Sequence, residues 1–105
     1  GGLTDFKDLM RQAQEVRDRF QRLQEELGGR TVEGSAGGGM VVAVMNGRQE
    51  LLSVRIEKEV VSPDDVGMLQ DLVRAAVNDA LARSREVAAA EMGKVTGGIL
   101  PPGIL

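Results

Sequence analysis

Phe6, Leu9, Ala13, Val16, Phe20, Leu23 and Leu27 follow one another at alternating steps of three and four residues. That alternation lines them along one narrow side of a helix, the pattern of a coiled-coil seam rather than the broad face of a small bundle. A stripe of this kind needs a partner along its whole length. The rest of the chain must supply it, from the same copy or from a second one.

Composition sets what the remainder can do. The 105 residues suggest one domain, and a hydrophobic share of 42% is enough for a core. Cysteine and histidine are both absent, which removes disulfides, thiol chemistry, Cys/His zinc sites and imidazole catalysis together. No apolar run approaches the roughly 18 residues of a membrane span, and no signal peptide is recognisable. The expectation is a cytoplasmic protein without a membrane partner. A net charge of −3 gives no general attraction to nucleic acid, so DNA contact would depend on local basic patches. There is no tryptophan or tyrosine, and both phenylalanines lie on the stripe, leaving no aromatic platform for single-stranded bases.

Along the chain, Thr4 or Asp5 is the expected cap of a first helix over residues 5–27, with Gly28-Gly29 ending it. Asp8–Arg11, Glu15–Arg19, Asp18–Arg22 and Arg22–Glu26 are spaced as intrahelical ion pairs. The middle, residues 30–57, reads as three short strands: Arg30–Ser35, Met40–Met45 and Glu50–Glu57. The glycine cluster at 37–39 reads as a loose turn, not a phosphate-binding loop, since no GK[ST] ending follows. Asn46-Gly47 is a short-hairpin signal. In the third strand Leu52, Val54 and Ile56 alternate with Ser53, Arg55 and Glu57, so one face packs and the other meets water. Ser62-Pro63-Asp64-Asp65 predicts a helix start with Ser62 as cap. The second helix spans 63–95 and carries an apolar face of Leu69, Leu72, Val73, Ala76, Val77, Ala80 and Leu81. Its alanine-rich second half is expected to allow close helix approach. Gly97-Gly98 closes it, and the apolar, proline-containing segment 99–105 is expected to be a mobile or loosely docked end.

The fold class is therefore α+β, with order α-β-β-β-α and a three-stranded antiparallel sheet between two long helices. Helix length adds an argument about assembly. A helix over 63–95 is roughly 50 Å long, while a compact domain of this size has a radius of gyration near 13 Å. The second helix must outrun its sheet, and three short strands leave edges and a face in want of cover. A symmetric homodimer would meet these needs together; a monomeric pair of helices on a sheet is the alternative.

Met10, Gln12-Ala13-Gln14, Gly37-Gly38-Gly39-Met40-Val41, Asn46-Gly47, Leu52-Ser53-Val54-Arg55-Ile56 and the run Asp71-Leu72-Val73-Arg74-Ala75-Ala76-Val77-Asn78-Asp79-Ala80 agree in order and spacing with a known pattern. So do Gly93-Lys94-Val95-Thr96-Gly97-Gly98 and Leu100-Pro101-Pro102-Gly103. The chain resembles the YbaB/EbfC family of bacterial nucleoid-associated proteins over a single domain, residues 1–98. The resemblance implies a tweezer-like homodimer that binds double-stranded DNA in the nucleoid with little sequence preference. It implies no catalysis, cofactor, metal or small-molecule substrate.

Phosphate contact needs outward lysine or arginine. The candidates are Lys7, Arg11, Arg17, Arg19 and Arg22 on the first helix, where Lys7, Arg11 and Arg22 share roughly one side, and Arg83, Arg85 and Lys94 on the second. Arg48, Arg55 and Lys58 lie on or near the strands. For each, the plain alternative is a solvated charge or an intrahelical pair. Candidates for the core or a dimer surface are Phe6, Leu9, Val16, Phe20, Leu23, Leu52, Val54, Leu69, Leu72, Val73 and Ala76. Asn78 and Asp79 are expected to hydrogen-bond to loops or to a second subunit. A protein-interaction dimer that uses its arms without touching DNA is the competing function; an enzyme is remote, since no histidine could activate Ser35, Ser53, Ser62 or Ser84.

Overall fold

The structure is a computed structural model and describes residues 1–96. Its elements are α1 (Leu3–Gly29), β1 (Thr31–Ala36), β2 (Val41–Asn46), β3 (Leu51–Ile56), a 3-10 turn at Lys58–Val60, and α2 (Val66–Thr96). The closing glycines 97–98 and the segment 99–105 lie outside the described residues.

Both helix starts differ from expectation. α1 begins after Gly2, whose φ of 68° turns the chain, and Thr4 and Asp5 lie inside the helix rather than capping it. It runs through Gly28 and Gly29, neither with positive φ, and stops where Arg30 turns extended to enter β1. At the other end Ser62 caps a turn, not the helix: its hydroxyl accepts from the Asp64 N–H at 3.2 Å, and its carbonyl from the Asp65 N–H. The helix cap is Asp65, whose Oδ1 accepts from the Met68 N–H at 3.1 Å, so α2 begins at Val66.

The sheet order is β1-β2-β3, both pairs antiparallel. Gly37, Gly38 and Gly39 all take positive φ in the first turn, a run that only glycine adopts without strain. In the second pair a register shift between Val44 and Met45 sets Met45 opposite Leu51 and leaves Leu52 without a partner. The alternation of Leu52, Val54 and Ile56 is therefore broken by a bulge. The rows that face α2 are Val32–Met45–Leu51, Gly34–Ala43–Val54 and Ala36–Val41–Ile56.

α2 lies chiefly over β1 and β2. Val41, Ala43, Met45 and Val60 are buried against Ala76 and Ala80, with Leu69, Leu72, Val73, Val77 and Leu81 around them. The close approach expected of the later alanines occurs here instead. A Cβ on Gly34 would overlap the backbone N of Ala80 and O of Ala76, so the strand glycine and the two helix alanines let the two backbones touch. Ala89 and Ala90 are exposed. All six residues of β3 are exposed as well. Thus Leu52 and Val54 are not core residues of one protomer, and neither are Phe6, Leu9 and Val16; of the stripe only Leu23 and Leu27 are buried and Phe20 is half-buried.

Asn46 does more than mark a turn. Its Oδ1 accepts from the N–H groups of Arg48 and Glu50, and its Nδ2 donates to Gly28 O and Glu50 Oε1. Its own carbonyl accepts from the buried Ser84 hydroxyl at 2.7 Å. One residue thereby joins the end of α1, the β2–β3 hairpin and the middle of α2. The left-handed residue of that hairpin is Gln49 (φ 64°), and Gly47 is needed for space, since a Cβ there would come within 2.9 Å of Leu27. The protomer measures 74 × 23 × 16 Å, with a radius of gyration of 20.2 Å. The helices outrun the sheet as their lengths required.

Candidate nucleic-acid interface

Between residues 1 and 19 only Asp8 is even half-buried, so the N-terminal half of α1 is an arm in solvent. Lys7, Arg11 and Arg17 stand along it. Arg11 pairs with Asp8 at 3.2 Å, at an exposed site where such a pair contributes little. The other expected pairs, Glu15–Arg19, Asp18–Arg22 and Arg22–Glu26, do not form among the described residues. Their arginines are left to solvent or to a ligand.

The second half of α2 runs antiparallel to α1. Ser84 is fixed at the hairpin beside the α1 C-terminus, Glu91 meets Arg30, and Lys94 and Val95 reach Arg19 and Leu23. Here the structure brings three candidates together. Arg19, Arg22 and Lys94 share an open cleft of about 380 Å³ with Leu23, Glu26, Glu91 and Val95. Arg83 and Arg85 lie further back on α2 and do not join it. Arg83 instead pairs with Asp79 at 3.5 Å.

One carboxylate of the cleft holds Lys94 and Arg30 together. Glu91 accepts from Lys94 Nζ at 3.1 Å and from Arg30 at 2.7 Å. The Lys94 hydrogen bond holds its carboxyl below the ordinary 4.5, against the opposing effect of burial, and the charges of Lys94 and Arg30 add to the lowering. Arg30 was not among the candidates. It lies 61 residues from Glu91, and only the local Glu91–Lys94 spacing was legible. Asp79 accepts from the Ser35 backbone N–H at 3.0 Å, a bond to strand β1 rather than to the expected loop or second subunit, and that bond lowers its pKa from 3.8, against burial and with Arg83 adding to it. Asn78 is exposed. Arg48 pairs with Glu50 at 3.8 Å on the hairpin, and Arg55 and Lys58 are exposed.

The arrangement offers cations on two helices along a groove, with the carboxylates of Glu26 and Glu91 among them. No described helix is long and apolar enough to cross a membrane.

The chain is 57% identical over 95 residues to a nucleoid-associated protein of Syntrophobacter fumaroxidans, covering 90% of this chain and 86% of that one. It is 51% identical over 103 residues to a nucleoid-associated protein of Caldanaerobacter subterraneus, covering 98% and 93%. An uncharacterized protein of Helicobacter pylori, known from its crystal structure, shares the fold with a TM-score of 0.78 at 24% identity, over 88% of this chain and 97% of that one. The model of the YbaB/EbfC DNA-binding family matches residues 2–99. That family is one of DNA-binding proteins rather than enzymes, and this chain belongs to it.

Proposed function

We propose that the protein is a nucleoid-associated homodimer that binds double-stranded DNA with little sequence preference, through the cations of its helical arms. The observation that carries this is the arm and the cleft at its base. Lys7, Arg11 and Arg17 stand on a solvated helix that leads to Arg19, Arg22 and Lys94 around one groove. Cations on flexible stems meet phosphates and fix position; base reading needs side chains presented in a groove by a rigid element, and no such cluster accompanies them. Arg83 and Arg85 extend the positive line along α2. The negative total charge leaves binding to local basic groups: Glu57, Glu59, Asp64 and Asp65 lie between β3 and α2, away from the arm, while Glu25 and Glu26 stand beside the cleft.

The dimer is supported by β3. It is an edge strand with every residue exposed, and its α2-side face carries Leu51, Val54 and Ile56 beside a helix that stops short of them. An apolar edge of this kind is a template for pairing, and a second copy satisfies it with closed symmetry. The family relationship supports a cytoplasmic, nucleoid location, and the relatives named above carry the same designation.

The test is binding of the purified chain to a random-sequence duplex across a salt series. The logarithm of affinity should fall linearly with the logarithm of salt, by about 0.9 per phosphate neutralised. Replacing Lys7 and Arg11 together by alanine should lower that slope by about two for each arm that meets the duplex and leave the fold intact. No binding at low salt would overturn the DNA reading in favour of a protein-interaction dimer.

A further inference from the structure

The apolar stripe of α1 divides at Phe20, which is half-buried. Below it Leu23 and Leu27 are buried against Val95 and the hairpin. Above it Val16 is 36% exposed, Met10 53%, Phe6 58% and Leu9 61%. A helical arm of this length without tertiary contact is marginal in water, so a partner over its apolar side stabilises it.

The bare stretch is complementary to itself. Counted in heptads, Phe6 and Ala13 take position a, Leu9 and Val16 position d, Asp5, Gln12 and Arg19 position g, and Met10 position e. When two such arms lie antiparallel, with a two-fold axis at the level of Arg11, Phe6 of each meets Val16 of the other and Leu9 meets Ala13. Each layer then sets a large side chain against a smaller one. A parallel pair would set Ala13 against Ala13 and leave a gap. The flanks agree with the antiparallel register. Asp5 of each arm falls opposite Arg19 of the other, Gln12 opposite Gln12 and Met10 opposite Met10, so no like charges meet. Within the protomer Asp5 meets only the N-terminal ammonium, in an exposed pair, and Arg19 makes no ion pair among the described residues.

We infer that the bare half of the α1 stripe pairs antiparallel with the same stretch of a second copy, fixed in register by Asp5 and Arg19. A contact about 20 Å long and one helix wide falls short of the roughly 1,000 Å² of a stable interface, so the pairing is weak and concentration-dependent, separate from association through β3. At 100° per residue Lys7 and Arg11 lie away from the seam. Pairing leaves them to phosphate, a consequence that rests on the DNA reading, whereas the pairing itself does not.

The chain has no cysteine, so single thiols report the register. Two full-length variants, Leu9→Cys and Ala13→Cys, are mixed in equal amounts at submillimolar concentration in a glutathione redox buffer. Both also carry Val54→Lys, so that β3 does not preset which copies meet. Mass spectrometry of the quenched mixture counts mixed and like disulfides. The expected ratio of mixed to like disulfide is about fivefold above that of random pairing. Asp5→Lys in both variants should cut the excess about threefold, and Asp5→Lys together with Arg19→Asp should restore it. Random proportions, which would leave the stripe to a different partner, overturn the inference. An excess of like disulfides, the mark of parallel pairing, overturns it equally, as does an excess that the second exchange fails to restore. None of these readouts involves DNA, so they stand apart from the salt series.

Discussion

β2 and β3 are neighbours of equal length, both mainly apolar and paired around a single bulge, yet one is the centre of the core and the other is bare. Met45 and Leu51 face each other across the ladder, 3% and 48% exposed. β3 alternates with Ser53 and Arg55 where β2 is apolar from Val41 to Met45, but the pattern does not explain why the inward row of β3 is bare. The difference lies in what is above: α2 crosses at Gly34, Ala76 and Ala80, where its backbone touches β1, and from that line it shelters only the two nearer strands. Burial of a strand is thus decided by one glycine in another.

The comparison breaks most severely at that crossing. Gly34→Ala should destabilise the protomer by about 3 kcal/mol or more, because backbone rather than a pliable side chain occupies the space; chemical denaturation measures it, and a cost below about 1 kcal/mol would show that the crossing gives way. Next, Met45→Ala should cost about 3 kcal/mol at every protein concentration. Leu51→Ala should instead act on self-association, its effect on apparent stability fading as the protein is diluted. A smaller effect tests how the crossing is anchored. Ser84→Ala removes a buried hydroxyl bond to Asn46 and should cost about 1 kcal/mol, since the Asn46 carbonyl keeps the Gln49 N–H as a partner.

The smallest effect is one of pH. Asp79 has a depressed folded pKa, so its contribution is complete above the ordinary value of 3.8 and is lost as pH falls through the lower folded value. Asp79→Asn can still accept the Ser35 N–H but lacks the charge beside Arg83. The stability gap between the two proteins should be constant near neutrality and close in acid. A gap that widened below pH 3.8 would contradict the assignment.

Most of the element order was legible because each piece has a local cause: the stripe for α1, the glycine run for the first turn, the apolar face of α2. What was not legible depends on contacts between distant residues. The bulge that shifts Leu51 into the inward row arises from pairing with β2, and the caps at Gly2 and Asp65 depend on where each helix settles. The same holds for the cation groups. Lys7, Arg11 and the other α1 cations could be placed on a helix from spacing alone. The convergence of Arg19 and Arg22 with Lys94, and the part played by Arg30, required the antiparallel run of α2 along α1.

The bare face of β3 is the centre of the account, because a second copy over it both completes the sheet's cover and sets two arms in one particle. Light-scattering mass of the wild-type chain and of Val54→Lys, at micromolar concentration with folding confirmed by circular dichroism, tests it directly. The account predicts twice the 11.2 kDa chain mass for the wild type and the single-chain mass for the folded variant. A wild type of 11.2 kDa, or a variant that remains dimeric, would contradict it.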